Sequence, residues 1–170
     1  MNIQDYIRDI PDFPKPGILF KDITPLLADH KALVSCVGQL VDLIPKDVKI
    51  DKVVGIEARG FIMGSMIAER LEAGFIPVRK KGKLPYDVHS KSYNLEYGDD
   101  SLEIHVDAIK AGENVLIHDD VLATGGTAKA VCELVEELGG VVVQCNFIME
   151  LSFLNGSAKL GTPASALLKY

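Results

Sequence analysis

The chain is 170 residues long, 48% hydrophobic and 25% charged, which allows one domain with a sizeable core. Its net charge of −6 argues against general nucleic-acid binding, so a polyanionic ligand would need positive charge concentrated locally. No apolar run is long enough for a bilayer, the opening residues 1–5 predict no signal peptide, and Cys36, Cys132 and Cys145 predict reduced thiols in cytoplasm.

Residues 3–10 read as a short amphipathic helix. Residues 11–25 carry Pro11, Pro14, Pro16 and Pro25 and read as irregular and stiff. Phe13, Ile18, Leu19, Phe20 and Ile23 give that stretch too much apolar surface for a floppy arm. Either it packs, or Leu19 and Phe20 sandwich a planar aromatic ligand. Residues 32–43 predict a helix with one apolar face. A strand follows over 52–56, then the turn Glu57-Ala58-Arg59-Gly60, then a helix over about 61–71. Arg59 beside a helix start either binds a diphosphate through its planar fork or pairs with Glu57 or another acid.

Residues 75–78 predict the next strand, and Arg79-Lys80-Lys81-Gly82-Lys83 follows it. Cations after a strand face the ligand side of an open α/β sheet; otherwise they form a solvated turn. Residues 84–94 show few periodic cues, and 95–104 read as a β-hairpin turning at Gly98-Asp99-Asp100. A polar loop leading into a hairpin is a candidate lid, with Glu96 as proton carrier and Tyr97 as cover. The alternative for Glu96 is an ordinary solvent-facing acid.

The most informative stretch is 115–127. An apolar run suits a buried parallel strand, Asp119-Asp120 follows, and Ala123-Thr124-Gly125-Gly126-Thr127 leads into a helix over 128–138. Adjacent carboxylates at a strand end can face hydroxyls or a hydrated Mg²⁺. The loop can wrap backbone N–H groups around a phosphate at a helix start. No Gly-Lys-Ser/Thr follows, so this is not a Walker A loop. Gly139-Gly140 ends the helix. Residues 141–149 predict a strand buried on both faces, 151–160 a polar turn or short helix, and 166–168 a final strand or tail. No repeat or linker interrupts the chain, so one domain over 1–170 is expected.

Residues 115–127 resemble the PRPP (5-phosphoribosyl diphosphate) signature of the type I phosphoribosyltransferases. Residues 12–25 resemble the N-terminal hood of the adenine-using members of that family. The Ala58-Arg59-Gly60-Phe61 turn, the stretch 79–85 and Tyr93-Asn94-Leu95-Glu96-Tyr97-Gly98 are similar to further family segments in the same order. The resemblance implies an α/β fold: a central, mostly parallel sheet flanked by helices, a hood over about 1–30 and a flexible β-hairpin loop over about 82–104. It implies purine salvage, adenine + PRPP → AMP + diphosphate with Mg²⁺, by a cytoplasmic homodimer binding neither nucleic acid nor membrane. Asp119 and Asp120 would hold the ribose hydroxyls, directly or through Mg²⁺ and water. Ala123, Thr124, Gly125, Gly126 and Thr127 would bind the 5′-phosphate. Ala58, Arg59, Lys80 and Lys83 would meet the diphosphate, and Arg79 would reach a neighbouring subunit's site. Leu19, Phe20 and Lys21 would line the adenine pocket, partly through backbone groups. Glu96 and Arg59 would be the catalytic residues.

Three positions depart from the family pattern. His118 replaces an apolar residue, Lys21 replaces a common Arg, and Ala58 removes the hydroxyl of a common Ser. Two rival readings remain: an enzyme for a 6-oxo purine such as xanthine, and a non-catalytic PRPP sensor regulating transcription. The hood suits the first poorly. The second usually carries a separate DNA-binding segment and a basic surface.

Overall fold

Short apolar runs alternating with amphipathic segments favour parallel strands joined by helices. The computed structural model describes residues 1–95 and 98–170, with side chains outside 94–99. The chain divides into two compact units, Met1–Gln39 and Leu40–Tyr170.

The N-terminal unit opens with a 3-10 turn, Ile3–Tyr6, capped by the Asn2 side chain. Strand β1 (Arg8–Pro11) pairs antiparallel with β2 (Leu19–Asp22), and α1 (Thr24–Ala28) and α2 (His30–Asp42) follow. The helix expected over 3–10 is therefore a single turn and a strand. An isolated helix that short is marginal, and the ladder to β2 supplies the backbone partners instead. The stretch expected to be irregular contains β2 and the start of α1. Asp22 joins these pieces. It accepts from Arg8 Nη2 at 2.7 Å, from the Thr24 hydroxyl at 2.7 Å and from the Thr24 backbone N–H at 2.9 Å. These bonds, led by the Thr24 hydroxyl, hold its carboxyl down at about 2. In α2, Ala32, Cys36, Val37 and Leu40 are buried on one face, as the helical spacing predicts.

The larger unit holds β3 (Lys52–Ile56), α3 (Gly60–Arg70), β4 (Gly74–Lys80), β5 (Val88–Leu95), β6 (Gly98–His105), β7 (Asn114–Leu122), α4 (Gly126–Glu137), β8 (Val141–Glu150) and β9 (Ala164–Lys169). Its seven-stranded sheet runs β5-β6-β4-β3-β7-β8-β9. Strands β4, β3, β7, β8 and β9 are parallel, while β6 runs antiparallel to β4 and β5 to β6. Val54, Ile56, Ile117, Val131, Val135 and Phe147 belong to its buried core. The central strands read as continuous apolar runs because each has a neighbour on either side and little solvent on either face.

Several strand boundaries differ from expectation. Arg79 and Lys80 end β4 and do not lie in the turn after it. Residues 88–94, which show few periodic cues, form most of β5. Gly98, Asp99 and Asp100 belong to β6 and not to a turn. Strand β5 is an edge strand with polar residues on both faces, so the period-2 signal vanishes. Strand β7 continues through Asp119 and Asp120 to Leu122, because β8 runs alongside and pairs Asp119 with Phe147 and Val121 with Met149.

Candidate functional site

From β3 the chain crosses through α3 to β4 on one side, and from β7 it crosses through α4 to β8 on the other. The order therefore reverses between β3 and β7. Connections that diverge there leave a crevice beyond the strands' carboxyl ends, where open α/β sheets bind ligands. Arg59 follows β3, and the acidic pair and the small-residue loop end β7.

These pieces meet. Arg59 Nε lies 2.9 Å from Asp120 Oδ2, and the Asp120 side chain is 4% exposed. Of the two partners left open for Arg59 by sequence, the acid is Asp120, while Glu57 pairs with Arg79 at 3.1 Å. A Cβ on Gly60 would sit 2.8 Å from the His118 carbonyl oxygen and 3.1 Å from Asp119 Oδ1. Only glycine lets the start of α3 press so closely on the acidic pair.

Burial pushes the Asp119 carboxyl well above the usual carboxylate range, and the neighbouring Asp120 charge adds to the rise. Burial raises Asp120 as well, against the pull of Arg59. Asp120 Oδ2 receives no well-aligned hydrogen bond among the described residues. The pair is short of donors and positive charge, which a polyol carrying a hydrated divalent cation supplies. No three His, Cys, Asp or Glu side chains converge on a metal position among the described residues. Mg²⁺ fits the pair all the same, since it keeps its waters and typically needs only one or two carboxylates plus substrate oxygens.

The loop after β7 forms a pocket of about 80 Å³ lined by Asp119, Ala123, Thr124, Gly125 and Thr127 among others. That is the room of two or three waters, enough for a phosphoryl group. Gly125 takes φ +83° and caps α4 with no side chain over the helix start. The first N–H groups of α4 have no partner within the helix, so they are free to meet an anion. Gly156, between β8 and β9, packs its backbone against this loop. A Cβ there would lie 2.3 Å from the Ala123 carbonyl oxygen, and one on Gly125 would lie 2.5 Å from the Gly156 carbonyl oxygen. Two backbones thus interlock where no side chain fits. The reading of sequence missed Gly156; the Asn155-Gly156 pair was the available signal, but it suggested only a turn.

The basic cluster is more divided than its sequence suggests. Glu57 accepts from Arg79 Nη2 and from the Lys80 backbone N–H at 2.8 Å. Burial alone would raise the Glu57 carboxyl, but these two donors outweigh it and hold it below its usual value. The Lys80 ammonium pairs with Asp100 at 3.2 Å. Lys81 and Lys83 are exposed and make no ion pair among the described residues. Ala58 is exposed at the head of α3, its carbonyl accepting from the Phe61 N–H; the Glu57–Ala58 peptide is cis.

Leu19, Phe20 and Lys21 lie consecutively on β2 of the N-terminal unit. Phe20 makes an edge contact with Phe13, and Lys21 Nζ pairs with Asp9 at 2.7 Å. Glu96 and Tyr97 lie outside the described residues. His118 is a core histidine. Its Nδ1 faces Asn146 Oδ1 at 2.9 Å, Asn146 Nδ2 donates to the Leu40 carbonyl, and burial brings its pKa down to about 4, so the ring is neutral.

A family model described as "Phosphoribosyl transferase domain" matches residues 26–151. The chain is 65% identical to an adenine phosphoribosyltransferase of Flavobacterium johnsoniae, with all of both chains covered. An adenine phosphoribosyltransferase structure from Thermoanaerobacter pseudethanolicus superposes with a TM-score of 0.95 at 51% identity, covering 99% of this chain and 98% of that one. The Saccharomyces cerevisiae enzyme, solved with an imino-altritol bisphosphate and adenine, gives 0.91 at 44% identity, covering 98% and 96%.

Proposed function

Because this chain belongs to the phosphoribosyltransferase family, we propose that it transfers the 5-phosphoribosyl group of PRPP to adenine, giving AMP and diphosphate. The observation that carries the reading is the Arg59–Asp120 contact at 2.9 Å beside an open helix N-terminus. A cation, two buried carboxylates and an anion cup stand together at the point where strand order reverses.

The residues divide the work by charge. The N–H groups opening α4, with the hydroxyls of Thr124 and Thr127, bind the 5′-phosphate along with Ala123, Gly125 and Gly126. Asp119 and Asp120 accept from the ribose hydroxyls, directly or through water on Mg²⁺. When bound with PRPP, Mg²⁺ supplies positive charge against the departing diphosphate. Arg59 leaves Asp120 for the diphosphate, whose negative charge grows as the C1–O bond breaks. The Ala58 turn, Lys80 and Lys83 assist it. Leu19, Phe20 and Lys21 bind adenine, and Glu96 takes the proton that adenine loses as its nitrogen attacks. The active form is a cytoplasmic homodimer. Arg79 is engaged by Glu57 of its own chain, and its reach to a partner's site rests on family likeness alone.

The test is turnover across a panel of bases with PRPP and Mg²⁺. AMP from adenine, with no nucleotide from hypoxanthine, guanine or xanthine, supports the reading. No AMP from adenine defeats it, and tight PRPP binding without turnover would favour the sensor.

A further inference from the structure

Strand β6 carries one acid in its buried stretch. Leu102 and Ile104 belong to the core, so Glu103 between them leaves the opposite face of the strand. It is nonetheless only 6% exposed. A carboxylate is costly to bury without a donor, and Glu103 Oε2 accepts from the Gly82 backbone N–H at 3.0 Å. Arg79 stands opposite Glu103 in the β4–β6 ladder, and its Nη1 reaches the Lys83 carbonyl at 3.4 Å. Carboxylate and guanidinium thus grip one turn, the acid on an N–H and the cation on a carbonyl. The Lys83 N–H donates to the Lys80 carbonyl at 3.2 Å, and of the two central residues Gly82 alone takes a positive φ, +79°, which makes the turn type II. Turning over the peptide between Lys81 and Gly82 would convert it to type I, the commoner form. Glu103 holds the N–H of that peptide.

We propose that Glu103 is a positioning residue for the diphosphate of PRPP: by pinning the peptide between Lys81 and Gly82, it fixes the turn from which Lys83 meets that group. The inference rests on the function proposed above. Glu103 touches no substrate, and on charge alone an anion there would repel the diphosphate. Its contribution is order. A turn held in one form presents the Lys83 ammonium already placed, whereas a free turn must be ordered when the ligand binds. Repulsion and ordering have opposite sign, so affinity separates them.

The test is calorimetric titration with PRPP and Mg²⁺, without adenine, beside ribose 5-phosphate, which lacks the diphosphate. Glu103→Leu, which removes the acceptor, should weaken PRPP binding about fivefold and leave ribose 5-phosphate within about twofold of wild type. Glu103→Gln keeps an oxygen for the Gly82 N–H and loses the charge, so it should bind PRPP at least as well as wild type. Once Lys83→Ala is in place, adding Glu103→Leu should cost nothing more. Gly82→Ala reaches the turn from the surface. Its Cβ meets nothing within 4 Å, so it penalises only the positive φ, and it too should weaken PRPP and spare ribose 5-phosphate. That variant decides the matter if Glu103→Leu does not fold. Unchanged or tighter PRPP binding in Glu103→Leu or Gly82→Ala, an equal loss in Glu103→Gln, an equal loss of both ligands, or additivity with Lys83→Ala would overturn the inference. A wild-type chain that binds PRPP yet forms no AMP would instead overturn the function proposed above, since these titrations need no turnover.

Discussion

Gly156→Ala is the sharpest perturbation available. Gly156 sits at φ −66° and ψ −36°, where alanine is at ease, so the backbone itself bears no conformational cost. The whole effect is steric. The new methyl would stand 2.3 Å from the Ala123 carbonyl oxygen and 3.0 Å from Gly125 N, whereas ordinary contacts begin at 3.4 Å. The loop must retreat by about 1 Å, and both neighbours are backbone, so no rotamer change relieves the clash. A displacement of that size in a binding element costs about 10²-fold in rate, or about 2.7 kcal/mol of transition-state stabilisation. Overpacking should remove a further ~1–3 kcal/mol of stability. The assay is AMP formation with PRPP varied at saturating adenine, paired with a thermal melt. Gly161→Ala is the control. It carries φ +66° in open space, so it should lose ~1–2 kcal/mol of stability and keep its KM for PRPP. Wild-type kcat/KM in Gly156→Ala, or an equal kinetic loss in Gly161→Ala, would refute the interlocking-backbone account.

Arg59→Lys should lower kcat/KM for PRPP about 10- to 100-fold, because a point charge cannot reproduce the planar fork against Asp120 and a diphosphate. Glu96→Gln should cut kcat about 10²–10⁴-fold while AMP binding, measured by calorimetry, stays near wild type. Removal of Mg²⁺ by chelation should abolish turnover, and its return should restore it. Asp22, held at about 2, below the usual carboxylate range, contributes stability that is complete above pH 4 and lost as pH falls through 2. That contribution is about 2 kcal/mol, so urea midpoints should fall from pH 5 to pH 2 more in wild type than in Asp22→Asn.

Residues 115–127 were legible because strand, acidic pair, small-residue loop and helix are consecutive in the chain. The chemistry of such a unit depends on local order, and local order is what a sequence displays. Arg59 was legible as a cation at a helix start, but not its partner, since Asp120 lies far along the chain on a different strand. Strand β5 was illegible for the opposite reason. An edge strand with both faces polar carries no alternation, and only its pairing with β6 and its ion pairs to α4 define it.

By itself, then, the sequence determined the alternating α/β plan, the acidic pair, the phosphate loop and the family they resemble. Tertiary structure decided which of the four clustered cations are already paired, with Arg79 held by Glu57 and Lys80 by Asp100. It also decided that the Gly156 backbone packs against the loop after β7. The physical reason is the range of the interactions. Hydrophobic period and turn chemistry act between neighbours in the chain. Steric exclusion between two backbones and the pairing of buried charges act between neighbours in space, which exist only once strand order has brought them together.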